Sequence, residues 1–165
     1  MYARILVPVD ASAAAAAGLE EAVRVARHCD AHLRLLHIVD DVHFAPEAAL
    51  HPTVPAAGMS TALEAGSALL QRLRDDAVRD GGIVDSVLVE SAGRPLHEIV
   101  SEQAQAWHAE LLVLGTHGRR GVDRFMAGSV AEQVVRHADV PVLLVRSPQA
   151  DGNDGGLQSI AAAIA

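Results

Sequence analysis

Short, nearly continuous apolar runs recur along the chain, and segments with helical periodicity separate them. Strands that are covered by helices on both faces have this pattern, because neither face meets water. The runs, each predicted to be a strand, are residues 5–9, 33–39, 87–89, 111–114 and 140–145. Strands that alternate with helices predict an α/β fold. Right-handed crossovers leave few topologies, and we expect a single-domain, five-stranded parallel sheet of order 3-2-1-4-5, Rossmann-like, with helices on both faces.

The segments between the runs carry apolar residues at helical spacing. Helices are predicted after Ser12, from Thr61 to Arg79, from Pro95 onward, and after Gly128. Residues 40–58 contain several prolines and are expected to form a long loop. Residues 147–165 include a stretch rich in Gly and Asp, so we expect a flexible tail after a domain that spans residues 1–146.

Composition excludes several classes of function. The chain has 165 residues and a formal net charge of −8, and all 13 of its basic residues are Arg. A chain without Lys has no Walker A lysine, no kinase strand lysine and no Schiff-base lysine. The acidic balance disfavours nucleic acid and anionic membranes as partners. A single cysteine, Cys29, allows no internal disulfide, and no apolar run approaches the roughly 18 residues of a membrane span, so we expect a soluble, cytoplasmic protein.

In an open α/β sheet, ligands bind beyond the carboxyl ends of the strands, where the strand order reverses. With order 3-2-1-4-5 this point lies between the first and fourth strands. Asp10 follows the first strand, and the glycine-dense stretch 115–121 follows the fourth. Glycines let backbone N–H groups approach a phosphate, and the helix start at Gly128-Ser129 favours an anion. Together with Arg119 and its neighbouring arginines, these parts predict a polyphosphate site that uses no lysine.

The spacing Gly115-x2-Gly118-x9-Gly128-Ser129 resembles the nucleotide-binding pattern of the universal stress protein family. The resemblance covers about residues 2–146. Its supporting matches are at residues 5–10, 36–39, 93–95 and 140–145. One position departs from the family, which often has Gly where this chain has Ala11.

The resemblance implies an ATP-binding regulatory protein that acts in stress response, with Mg²⁺ bound alongside the nucleotide. It places Asp10 near the ribose and the metal-phosphate region, as a Mg²⁺ partner directly or through water. Ile38 would contact adenine, Gly115 and Gly118 would line the ribose and phosphates, and Gly128 would hold the phosphate chain with the two residues after it. The complete set of residues expected at the ligand is Pro8, Val9, Asp10, Ile38, Leu114, Gly115, His117, Gly118, Arg119, Gly128, Ser129 and Val130.

Several of these residues also have explanations without a ligand. The stretch 115–121 fits a tight loop, and Ser129-x-x-Glu132 fits a capping box. Asp10 fits a helix cap, Arg119 a surface charge, and His117 a role in shaping the backbone. His37, inside the second strand, is expected to be a core residue.

Two other functions therefore stay open beside the regulatory one. They are a nucleotide-free interaction protein on the same fold and a weak ATP hydrolase. Hydrolysis requires a group that positions the attacking water, and only Asp10 or His117 is a candidate. We expect slow hydrolysis at most. An adenylyl-transferring enzyme is disfavoured because a glycine-rich loop is missing after the first strand.

The last strand, residues 140–145, is expected to be an apolar edge of the sheet. An unprotected edge presents unpaired N–H and C=O groups, which natural proteins cover or pair. We expect a homodimer that pairs this strand with its two-fold copy, as the family resemblance also implies. Leu143 is expected to supply a central donor of that pairing.

Overall fold

The computed structural model describes residues 1–40, 55–116 and 130–147. The strands are β1 Arg4–Pro8, β2 His32–Val39, β3 Ile83–Glu90, β4 Leu111–Thr116 and β5 Val142–Arg146. The helices are α1 Ala13–Cys29, α2 Pro55–Arg79, α3 Leu96–Ala106 and α4 Val130–His137. The strands form one parallel sheet of order β3-β2-β1-β4-β5, so the predicted topology is confirmed. Most of the predicted loop, residues 41–54, and the tail from residue 148 lie outside the described residues.

Helices cover both faces of the sheet, as expected. On one face, Val7 and Leu33 share a buried cluster with Leu19 of α1. On the other, Leu112 shares a buried cluster with Val134 of α4. The central strands are buried from both sides, and this explains their continuous apolar runs. None of the helices in the described part of the chain is long and apolar enough to cross a membrane.

Helix α2 begins at Pro55 rather than near Thr61, so the expectation of an irregular segment up to residue 58 is wrong. Proline has no N–H to lose in the first turn of a helix, and its fixed φ suits that position. Pro55 follows other prolines in residues 40–58, and this composition predicts a loop. A proline can start a helix or lie in a loop, so these prolines alone do not locate the helix start.

Strand β3 extends beyond its predicted apolar run and includes a charged residue, Asp85. Asp85 on β3 accepts hydrogen bonds from Nε and Nη2 of Arg34 on β2, at 2.6 and 2.8 Å. The hydrogen bond to Asp85 raises the pKa of the Arg34 guanidinium above its usual value. The guanidinium carbon also lies 4.5 Å from the centre of the Trp107 ring, a cation–π contact. Pairing across neighbouring strands lets a carboxylate occupy this half-buried position.

The free edge of β5 has a defined set of outward-facing groups. Leu112 donates its N–H to the Pro141 carbonyl oxygen at 3.0 Å, and Ser147 donates to Thr116 at 3.0 Å. Peptide groups of the odd-numbered residues therefore face β4, because N–H directions alternate along a strand. The expectation that Leu143 supplies an outward donor is wrong. The outward donors belong to the even-numbered residues, with Leu144 at the centre.

Candidate functional site

A cavity of about 200 Å³ lies at the carboxyl ends of β1 and β4, where the strand order reverses. Every predicted ligand residue that the structure describes lines this cavity. They are Pro8, Val9, Asp10, Ile38, Leu114, Gly115 and Val130. The remaining predicted residues, His117, Gly118, Arg119, Gly128 and Ser129, lie outside the described residues. The cavity therefore joins segments that are far apart in the sequence.

The loop after β1 is held by its own polar side chains. The Oδ1 atom of Asp10 accepts a hydrogen bond from the Ser12 N–H at 2.8 Å. Ser12 in turn caps α1, because its Oγ accepts from the Ala15 N–H at 3.1 Å. Asp10 is exposed, and its Oδ2 atom makes no hydrogen bond to the described part of the chain. One carboxylate oxygen of Asp10 thus shapes the loop, and the other takes no part in the loop's hydrogen bonds.

Gly115, at the end of β4, lies against the first turn of α1. A Cβ atom at Gly115 would lie 1.7 Å from the carbonyl oxygen of Ala14. A Cβ atom at Gly18 would lie 2.7 Å from the Gly115 nitrogen. The first glycine of the predicted pattern is therefore required by helix–strand packing, whatever the cavity binds. Gly18 was not singled out from the sequence, although a lone glycine inside a helical pattern is the signal for such an approach.

Residues that the sequence interpretation did not assign to the site complete its walls. They are Ser12, Ala15, Leu36, His37, Leu96, Val100 and Ala131. Leu96 and Val100 lie one turn apart on α3, so the side of the cavity formed by that helix is apolar. His37 lines the cavity as well, and its Nδ1 lies 2.8 Å from the carbonyl oxygen of Val9.

The beginning of α4 forms part of the cavity wall. Val130 and Ala131, the first residues of α4, both line it. The first N–H groups of a helix have no partner within the helix, and the helix dipole favours an anion there. Within residues 1–40, 55–116 and 130–147, no three His, Cys, Asp or Glu side chains are grouped so that they could hold a metal ion.

The fold and the position of the cavity define an open, doubly wound α/β protein with a ligand cavity where the strand order reverses. A model of the universal stress protein family matches residues 1–146. The chain is 32% identical over 154 residues to a universal stress protein of Methanocaldococcus jannaschii, covering 90% of this chain and 85% of that one. The chain therefore belongs to the universal stress protein family.

Solved structures of the family share this fold. A family member from Burkholderia pseudomallei is 28% identical, with a TM-score of 0.69 over 87% of this chain and 96% of that one. A universal stress protein in complex with cAMP is 21% identical, with a TM-score of 0.63 over 89% of this chain and 98% of that one. One from Archaeoglobus fulgidus in complex with dAMP is 20% identical, with a TM-score of 0.58 over 87% and 98%.

Proposed function

We propose that the cavity binds ATP together with Mg²⁺, and that the protein regulates a stress response through changes of conformation or partner that follow nucleotide binding. The observation that carries this proposal is the convergence of the predicted ligand residues from β1, the end of β2, the end of β4 and the start of α4 on one cavity. Two structurally similar proteins are in complex with cAMP and dAMP, which both carry adenine. These complexes support an adenine ligand.

The described residues suit the parts of such a ligand. Ile38 lines the cavity and is the residue we assign to the base, and the apolar wall of Leu96 and Val100 suits a flat ring. The first turn of α4 suits a phosphate chain. Mg²⁺ is usually held by one or two carboxylates plus the phosphates of a bound substrate, and Asp10 is an exposed carboxylate on the cavity wall. When bound, the metal would supply positive charge to the phosphates in a chain that has no lysine.

The glycines of the pattern provide a direct test of ATP binding. Gly128→Val and Gly118→Val would each place a branched side chain where the pattern requires backbone close to phosphate, so we expect ATP binding to be lost. Isothermal titration calorimetry measures the affinity, and thermal unfolding of each ligand-free variant verifies that it folds. Both variants binding ATP like the parent would contradict the proposed site.

The role of Asp10 is tested by comparing ATP with and without metal. Asp10→Asn keeps a side-chain oxygen that can accept from the Ser12 N–H, so the loop should be preserved. We expect the affinity for Mg-ATP to fall by about tenfold and that for metal-free ATP to change little, because an amide is a weaker Mg²⁺ ligand than a carboxylate. Titrations in Mg²⁺ and in EDTA give the two values. Equal losses would assign Asp10 to the ribose or to the loop instead.

A further inference from the structure

The peptide groups of β2 face alternate neighbours. The carbonyl oxygen of Leu36 accepts from the Val9 N–H at 2.8 Å, so Leu36 faces β1. The carbonyl oxygen of Val39 accepts from the Ser91 N–H at 2.9 Å, so Val39 faces the β3 side. Ile38, two residues after Leu36, therefore directs its N–H and its C=O together toward the β1 side. The last paired residues of β1 and β2 are Pro8 and Leu36, so Ile38 lies beyond the end of this pairing.

A regular parallel ladder would continue with a hydrogen bond from the Ile38 N–H to the Val9 carbonyl oxygen. No such bond is found among the described residues, although the preceding bond from Val9 to Leu36 is present. The Val9 carbonyl is paired with a side chain instead, because Nδ1 of His37 lies 2.8 Å from it. A carbonyl oxygen only accepts, so Nδ1 of His37 carries the proton and donates.

Contacts on the far side hold the His37 ring in this position. A Cβ atom at Gly66 of α2 would lie 2.8 Å from Cδ2 of His37 and 2.9 Å from Cδ1 of Leu88. Glycine inside a helix costs about 1 kcal/mol relative to alanine, and here its missing side chain makes room for the imidazole. The ring is thus fixed between α2 and the end of β1.

We propose that His37 is a positioning residue of the nucleotide cavity. Its Nδ1–H donates a hydrogen bond to the Val9 carbonyl oxygen, and this ends the hydrogen-bond ladder between β1 and β2. The N–H and C=O of Ile38 are then left for the edge of a bound base. A donor beside an acceptor complements adenine, whose N1 accepts and whose amino group donates. Guanine presents the reverse order at the same edge. This inference rests on the proposed nucleotide binding for its ligand, but the state of the Ile38 amide can be measured without any ligand.

Hydrogen exchange of the Ile38 amide, measured by NMR on the ligand-free protein, tests whether His37 keeps this amide out of the β1–β2 ladder. In His37→Leu the Val9 carbonyl oxygen loses its side-chain donor, so the Ile38 N–H should donate to it. The Ile38 amide should then exchange at least about tenfold more slowly. His37→Asn carries an amide nitrogen as many bonds from Cα as Nδ1, so exchange should stay close to that of the parent. His28→Leu removes a similar bond, from Nδ1 to the Arg24 carbonyl oxygen at 2.8 Å on α1, and serves as the control. A parent amide that is already protected, or equal exchange in the Leu and Asn variants, would overturn the proposal.

Ligand titrations test the consequence for binding of the base. We expect His37→Leu to weaken ATP about tenfold, the worth of a lost hydrogen bond, with affinity largely restored in His37→Asn. Inorganic tripolyphosphate lacks a base, so its affinity should stay within about twofold in every variant. Losses shared by ATP and tripolyphosphate would indicate a general structural role and overturn the assignment. A parent that binds no nucleotide would contradict the proposed function, while the exchange comparison would still decide the role of His37.

Discussion

Gly115→Ala is expected to lower the free energy of unfolding by at least about 3 kcal/mol, at the upper end of the costs of overpacking. The added Cβ would lie 1.7 Å from the carbonyl oxygen of Ala14 and 2.9 Å from the nitrogen of Ala15. Both atoms belong to the backbone of α1, so no side-chain rotation can relieve the clash. Helix α1 would have to move away from β4. Urea denaturation of the parent and the variant measures the difference.

Gly93→Ala provides the control for this substitution. Gly93 has φ of +73°, and a Cβ there would meet nothing within 4 Å. Its substitution carries only the cost of a left-handed backbone, about 1 kcal/mol. A loss at Gly115 no larger than that at Gly93 would contradict the predicted clash between Gly115 and the backbone of α1.

The packing role of Gly115 changes how the glycine pattern should be tested. Its close contact with Ala14 brings the start of α1 to the end of β4, and these two elements border the same cavity. A substitution at Gly115 would disturb the fold and the cavity together. Loss of ligand binding in such a variant would therefore not identify a ligand contact. Gly118 and Gly128 are the better positions for the binding test.

The topology was predictable from the sequence because burial on both faces leaves a continuous apolar run, and the central strands have such runs. The edge strand β3 was predicted too short, since Asp85 interrupts its apolar pattern. The pairing with Arg34 across the strands makes that carboxylate compatible with the sheet. A pattern read along one strand contains no information about the partner on the next.

The candidate site was likewise predictable from the sequence only in part. The residues that end β1 and β4 could be placed at one cavity, because the strand order alone brings those ends together. His37 could not be recognised, since its bond to Val9 depends on where the β1–β2 ladder stops. Similarly, the outward donors of β5 follow from its register with β4. Register is a property of the paired strands and not of either sequence segment.

Leu144→Pro is expected to weaken self-association about a hundredfold, if, as we propose, two copies of the protein pair through the free edge of β5. Leu144 is half-exposed, and its N–H faces away from β4. Two-fold symmetry removes this donor from both protomers, so about two hydrogen bonds are lost. Proline is tolerated on an edge strand where the N–H faces outward, so each protomer should still fold. Light scattering over a concentration series measures the dimer dissociation constant.

Leu144→Ala separates the backbone donor from the apolar side chain. It keeps the N–H and removes most of the side chain, so its effect on association should be smaller than that of proline if edge pairing holds the dimer. Leu143→Pro is unsuitable, because its N–H faces β4 and its loss would damage the sheet itself. A parent that remains monomeric at high micromolar concentration would contradict the proposed dimer. A folded Leu144→Pro variant that dimerises as tightly as the parent would exclude this edge as the interface.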